Sequence, residues 1–298
     1  MKPPRFGAVL TAMVTPFDAN GALDVDAAVT LARYLVAHGS DGLVVAGSTG
    51  EGGALSDDEK RSLFEAVAEA VTVPVLAGTS SSDTAHSVAL TREVSGVGIA
   101  GILATTPAYA RPSQSGIAQH LAAVADATSL PVMLYDIPAR TGRALSASTT
   151  IELVRTVTNI VALKDASGQV AAAALTKSTL GDGFDLYSGD DALTLPFMAI
   201  GAVGVVSVCS HWAGDEMSAM VRNASANEWE LARRINADLA PSYAFESSEA
   251  YPNPVPAKAA LRALGLPVGQ CRLPLGDSDD VIDYAASSLV STLMAARV

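Results

Sequence analysis

From residue 132 the chain reads Val132-Met133-Leu134-Tyr135-Asp136. A Pro- and Gly-containing loop and a helix-period segment follow, and then Ile160-Val161-Ala162-Leu163-Lys164-Asp165. Two short, continuously apolar runs joined by a loop and an amphipathic segment read as one strand–helix–strand unit. Strands buried on both faces lack the in–out alternation of half-exposed strands, as in parallel sheets covered by helices. The same unit recurs along the chain. Apolar runs occupy 8–14, 42–46, 73–77, 101–104, 132–135, 160–163, 184–187 and 204–208. From residue 8 to residue 204 there are seven steps, a mean of 28 residues each. That spacing fits a strand, a helix of about three turns and two short loops. Between runs, Ser56-Asp57-Asp58-Glu59 forms a capping box, and Leu63, Phe64 and Val67 fall on one helix face.

Eight such units predict an α/β fold, a (β/α)8 TIM barrel. An open doubly wound sheet would place a Gly-rich phosphate loop after the first strand. Thr15-Pro16-Phe17-Asp18 is no such loop. The segments 229–239, 255–264 and 280–296 read as helices that a barrel does not require. The expected division is a barrel over 1–226 and a C-terminal helical extension over 227–298.

Composition narrows the function. Of 298 residues 49% are apolar and 17% charged, enough for a large core and too little charge for a disordered chain. The net charge of −12 and the lack of a Lys/Arg cluster argue against nucleic-acid binding. Cys209 and Cys271 make no disulfide framework or zinc motif, which points to a reducing, cytoplasmic compartment. Residues 192–214 carry no formal charge and are long enough for a membrane span. Pro196, Gly201, Gly204 and His211, with acids at both flanks, favour a short helix, a Gly turn and a buried strand instead.

In a barrel the active site lies at the carboxyl ends of the strands. The residues expected there are Gly47-Ser48-Thr49-Gly50-Glu51, Thr105-Thr106-Pro107-Ala108-Tyr109, Tyr135, Arg140, Lys164 and Ser188-Gly189-Asp190-Asp191. Of five lysines only Lys164 directly follows an apolar run. Poor solvation there favours the neutral amine, which can attack a ketone and form a Schiff base. The alternative is a barrel-mouth lysine paired with Asp165 or another carboxylate. Ser48 and Thr49 between glycines can aim hydroxyls and amides at a small carboxylate, or simply make a turn. Tyr135 reads as a proton relay beside the amine or as a core tyrosine. Arg140, on a loop after Pro138, reads as a carboxylate fork or a surface ion pair. Glu51, Asp190 and Asp191 suggest a metal only weakly, because the four histidines are scattered. Asp190 is better read as a helix cap. No metal is expected.

Taken in order, Thr11–Phe17, Gly47–Glu51, Thr106–Tyr109, Tyr135–Gly142, Leu163–Gly168, Ser188–Asp191 and Asn253-Pro254-Val255-Pro256-Ala257-Lys258 resemble the dihydrodipicolinate synthase / N-acetylneuraminate lyase family of class I aldolases. The resemblance covers nearly the whole chain. It implies that Lys164 forms an imine with pyruvate, with no other cofactor. It assigns Ser48 and Thr49 to the pyruvate carboxylate, and Tyr135, Ser48 and Tyr109 to proton transfer. Gly189 and Val206 join Ser48, Thr49 and Arg140 in substrate binding. The residue matching Tyr109 enters from a neighbouring subunit, implying a homotetramer built from dimers. Arg140 marks the synthase branch, in which pyruvate condenses with L-aspartate 4-semialdehyde to give 4-hydroxy-tetrahydrodipicolinate in lysine biosynthesis. A sister aldolase acting on a sugar acid or another aldehyde is the alternative, and a catalytically silent barrel is a third reading. Ser48 stands where synthases usually carry Thr, and Ala108 where many carry a second Tyr. Asp57, Lys60 and His86 stand where lysine-inhibited members carry a His pair and a Glu, so lysine inhibition is expected to be weak or absent.

Overall fold

The computed structural model describes residues 3–296. Eight parallel strands close into a barrel in sequence order. They are β1 (Val9–Ala12), β2 (Gly42–Val45), β3 (Val75–Gly78), β4 (Gly101–Thr105), β5 (Val132–Asp136), β6 (Ile160–Asp165), β7 (Asp185–Ser188) and β8 (Gly204–Ser207). The predicted (β/α)8 barrel is the observed fold, and each apolar run overlaps one strand. β8 pairs with β1 through Val9↔Val205 and closes the ring.

Alternation along the strands sorts the side chains. Leu10, Val44, Leu76, Leu103, Met133, Tyr135, Ala162, Tyr187 and Val206 fill the interior as one cluster with Phe6. Val45, Ala77, Leu134, Leu163 and Leu186 face outward and join the larger core under the helices. Phe6 closes the amino-terminal end against Gly101, where a Cβ would sit 3.0 Å from its ring.

The helices on the barrel are α1 (Val25–Ala37), α2 (Asp57–Ala70), α3 (Thr84–Val94), α4 (Gln114–Asp126), α5 (Pro138–Thr141), α6 (Ala147–Thr156), α7 (Val170–Leu180), α8 (Thr194–Ala199) and α9 (Ser210–Ser225). The capping box at Ser56 and Glu59 forms as expected, and Leu63, Phe64 and Val67 are buried. The uncharged stretch 192–214 folds as expected into α8, a turn at Gly201 (φ +99°) and β8. Among the described residues no helix is long and apolar enough to cross a membrane. The helix after β8, α9, carries a non-helical Ala213 (φ −126°) near its start.

Beyond α9 come α10 (Trp229–Asp238), α11 (Ala240–Phe245), α12 (Val255–Ala263) and α13 (Asp280–Ala296). Three were expected; α11 was not. α12 packs on α9 and α13, and its buried face includes Val255, Ala257, Lys258 and Leu261.

Candidate active site

The Gly47–Glu51 loop leaves β2 in a tight bend. A Cβ on Gly50 would approach Ala46 N and Met13 O to 2.9 Å, so only glycine fits without backbone movement. Thr15 Oγ1 donates to Gly50 O at 2.6 Å and ties the loop to the β1 end. Glu51 adopts a left-handed conformation (φ +53°). Its carboxylate is buried and forms an ion pair with Lys258 Nζ at 2.7 Å. Its other oxygen accepts from Arg272 N at 2.8 Å. Lys258 Nζ also donates to Gln270 O at 2.8 Å and lies over the Phe17 ring. The bend is therefore clamped from the C-terminal helices.

Tyr135 and Lys164 are partners in the β5–β6 register, as are Asp136 and Asp165 one residue on. The alternation turns the first pair into the barrel and the second pair out. Lys164 lies inside the end of β6 rather than just beyond it, only 4% exposed. Its Nζ lies 4.2 Å from the Tyr135 ring centroid. Asp165 does not pair with it, because its Oδ1 accepts from Ser167 N (2.8 Å) and Ser167 Oγ (2.6 Å) on the outer face. Among the described residues, Lys164 Nζ has no ion-pair partner, and neither Tyr135 Oη nor Ser48 Oγ is held in a hydrogen bond.

A cavity of about 420 Å³ opens at the carboxyl ends of β2–β5. Ser48, Tyr135 and Arg140 line it, with Ser80, Thr106 and Lys60. Lys164 is not on the wall itself and adjoins it through Tyr135. Thr49 is buried one residue beyond Ser48, its Oγ1 accepting from Asn253 Nδ2 at 2.9 Å. Arg140 belongs to the one-turn helix α5 rather than to a loop. Pro138 opens that turn and Gly142 (φ +76°) ends it. Arg140 Nη2 donates to Asn253 O at 2.9 Å. Gly189 and Val206 do not line the cavity: Gly189 N donates to Asp165 O at 2.7 Å, and Val206 is buried in the barrel interior. Tyr109 is not brought into the cavity either; it is 96% exposed with φ +69°.

The weak metal reading finds no support in the ligand geometry. Among the described residues no three His, Cys, Asp or Glu side chains could hold an ion. Asp190 caps a single helical turn by accepting from Ala192 N at 3.0 Å. Asp191 accepts from Val208 N (2.7 Å) and Cys209 N (3.0 Å) at the start of α9. His211 is fully buried, and burial pushes it down to about 4. Its neutral ring donates from Nδ1 to Val208 O and accepts at Nε2 from Val14 N.

Outside the barrel, burial lifts Asp136 to about 6, against the hydrogen bond from Leu145 N and assisted by the Asp165 charge. Its ordinary value is 3.8. The folded chain therefore binds more protons than the unfolded one between those values, and stability falls as pH rises through that window. The ionised form costs folding roughly 3 kcal/mol above it. Asp136→Asn keeps an acceptor for Leu145 N. It is expected to melt higher than wild type at pH 8, with the gain fading toward pH 4. An equal gain at both pH values would contradict this.

A closed parallel barrel whose carboxyl-terminal mouth holds a buried, unpaired lysine amine beside a tyrosine and a hydroxyl-rich loop defines a (β/α)8 lyase of the class I aldolase type. The chain belongs to the dihydrodipicolinate synthetase family, whose profile matches residues 5–293. It is 49% identical over 292 residues to the 4-hydroxy-tetrahydrodipicolinate synthase of Moorella thermoacetica, covering 97% of this chain and 99% of that one. It is 44% identical to the Bacillus subtilis enzyme of the same name, covering 97% and 100%. Among solved structures, dihydrodipicolinate synthase from Bacillus anthracis superposes with a TM-score of 0.92 at 40% identity, covering 96% and 98%. The Cyanidioschyzon merolae enzyme with lysine bound gives 0.93 at 41%, covering 97% and 99%.

Proposed function

We infer that this chain is a Schiff-base lyase that condenses pyruvate with L-aspartate 4-semialdehyde to give 4-hydroxy-tetrahydrodipicolinate. The observation that carries the site reading is the Lys164 amine, buried, unpaired and packed on Tyr135 at the barrel mouth. With no carboxylate claiming it, this amine is the nucleophile of the reaction. Its lone pair attacks C2 of pyruvate, and loss of water leaves an imine. Tyr135, with its hydroxyl free, hands over the protons that this exchange requires. Loss of a C3 proton gives the enamine, which attacks the aldehyde carbon of the second substrate. That substrate's own amine then displaces Lys164, closing the ring and freeing the enzyme. The lysine itself supplies the covalent chemistry, so the reading needs no added cofactor or metal.

Ser48 and Thr49 hold the pyruvate carboxylate in this reading, and Gly189 and Val206 back the pyruvate site from the barrel side. Arg140 receives the carboxylate of the aldehyde. Arg140→Ala is expected to lower kcat/KM for the carboxylated aldehyde by roughly 10- to 100-fold, the scale of one charge-assisted hydrogen bond. The same substitution should leave an uncharged aldehyde little affected. Equal losses for both would return the sister-aldolase reading. The reading as a whole is tested by borohydride reduction with pyruvate, which should add one adduct mass at Lys164.

Tyr109 is proposed to act in the site of a second copy within a homotetramer. Its support is an aromatic ring almost wholly outside its own fold, on a loop next to cavity-lining Ala108. Mixed assemblies of Tyr109→Phe and Lys164→Met chains should regain activity that neither has alone. Lysine is expected to leave the rate essentially unchanged at millimolar concentration, since Asp57, Lys60 and His86 stand where lysine-inhibited members carry a His pair and a Glu. Half-inhibition at that concentration would overturn this. A cytoplasmic location suits two buried free thiols. The barrel over 1–226 and the extension over 227–298 are proposed as two parts of one folding unit, because Glu51 and Lys258 bridge them.

A further inference from the structure

We propose that Asn253 is a positioning residue that fixes which way the Thr49 hydroxyl points its proton, and thereby makes that hydroxyl a donor to the pyruvate carboxylate. The proposal rests on the reading above, in which Thr49 faces that carboxylate.

A threonine hydroxyl has one proton to give and can accept as well. A carboxylate only accepts. If Thr49 gave its proton to a protein neighbour, it would present lone pairs to the substrate anion and repel it. The structure removes that option. Asn253 Nδ2 donates to Thr49 Oγ1 at 2.9 Å, both residues being more than nine-tenths buried. Thr49 Oγ1 donates to no acceptor among the described residues. The oxygen's acceptor side is thus occupied by the amide, and its proton is left for the ligand.

The amide is placed by contacts that do not depend on its own chemistry. Asn253 N donates to Ser247 Oγ at 3.3 Å, and Asn253 O accepts from Arg140 Nη2 at 2.9 Å. One residue of the C-terminal extension therefore touches the two groups assigned to the two substrate carboxylates. It touches Arg140 through its backbone and Thr49 through its side chain. A side-chain substitution should separate these two functions.

The test compares Asn253→Asp with Asn253→Ala, each alone and in a Thr49→Val background, reading KM and kcat for both substrates and the melting temperature. Asn253→Asp is nearly isosteric but only accepts, so it takes the Thr49 proton and reverses the hydroxyl. The expected result is a pyruvate KM raised about 10-fold or more, with aldehyde KM and kcat little changed. Asn253→Ala leaves the hydroxyl free to turn, so its pyruvate KM should rise less than that of Asn253→Asp. A merely structural role gives the opposite order, with the truncation worse and the melting temperature lower. In the Thr49→Val background the Asn253→Asp penalty should largely vanish. A penalty that persists there in full is plain charge repulsion and overturns the proposal. The reverse amide orientation, with Thr49 donating to Oδ1, predicts no effect of Asn253→Asp and also overturns it. Wild-type borohydride trapping, run alongside, separates the two levels. No adduct on Lys164 sinks the functional reading, whereas an adduct with unchanged pyruvate KM in Asn253→Asp sinks only this inference.

Discussion

Lys164→Met is expected to lower kcat on the order of 10⁴-fold or more, the scale on which loss of a covalent nucleophile acts, and to abolish the borohydride adduct. Methionine keeps an unbranched, apolar chain against the Tyr135 ring and lacks only the amine. The melting temperature should hold or rise, because Lys164 has no counter-ion among the described residues and its removal leaves no charge unpaired. That combination, activity gone and fold intact, is what a catalytic rather than structural lysine requires. Lys164→Arg should be worse for stability, since the larger, permanently charged guanidinium would be buried without a carboxylate. A Lys164→Met enzyme that kept a tenth of the wild-type rate would remove the Schiff base from the mechanism.

The barrel was legible because its strands are covered on both faces and so read as unbroken apolar runs. Their ends were less legible. The run at 73–77 includes Pro74, which has no N–H for a ladder, and β3 begins at Val75. The apolar run stops at Leu163 because Lys164 and Asp165 are polar, yet both belong to β6, one facing in and one out. The helix α11 was missed because Pro241 makes Ala240–Phe245 look like a turn, although proline is tolerated in a first helical turn. Position after a strand singled out Lys164, Tyr135, Ser48 and Arg140, and the fold places these at one mouth. The same logic could not find Lys60, Lys177 and Lys258, which are also buried. What holds Lys258 inside comes from a distant segment, and what holds Lys60 and Lys177 comes from nearby polar groups that an apolar pattern does not register. Lys177 Nζ donates to Phe184 O at 2.9 Å, and Lys258 finds Glu51 some two hundred residues away. The last pair leaves no local pattern. Asn253 was visible only as part of a motif, and its hold on Thr49 and Arg140 needed the coordinates.

Lys258→Met should show the reverse of Lys164→Met: a large loss of stability from a residue that need not touch substrate. The Lys258 side chain is fully buried, its ion pair with Glu51 is 2.7 Å long, and the Glu51 side chain is 1% exposed. Removing one partner leaves a buried charge uncompensated, which typically costs about 3–5 kcal/mol. For a chain of this size that corresponds to a melting temperature lower by roughly 5–15 °C. Burial lowers the Lys258 ammonium from its ordinary value, more than the attraction of Glu51 raises it. The unfolded chain thus binds the extra proton between the folded value and 10.5, and this group makes stability rise with pH across that alkaline window. The variant should lack that rise. Because the charged pair bears a net burial cost, Lys258→Met combined with Glu51→Gln should recover much of what the single substitution loses. Activity supplies the last discrimination. Glu51 holds its left-handed conformation at the end of the loop that carries Ser48 and Thr49. Where the single variant remains folded, its pyruvate KM should rise while aldehyde discrimination by Arg140 survives. A Lys258→Met protein as stable as wild type would mean that the loop and the C-terminal helices are held together by apolar packing alone.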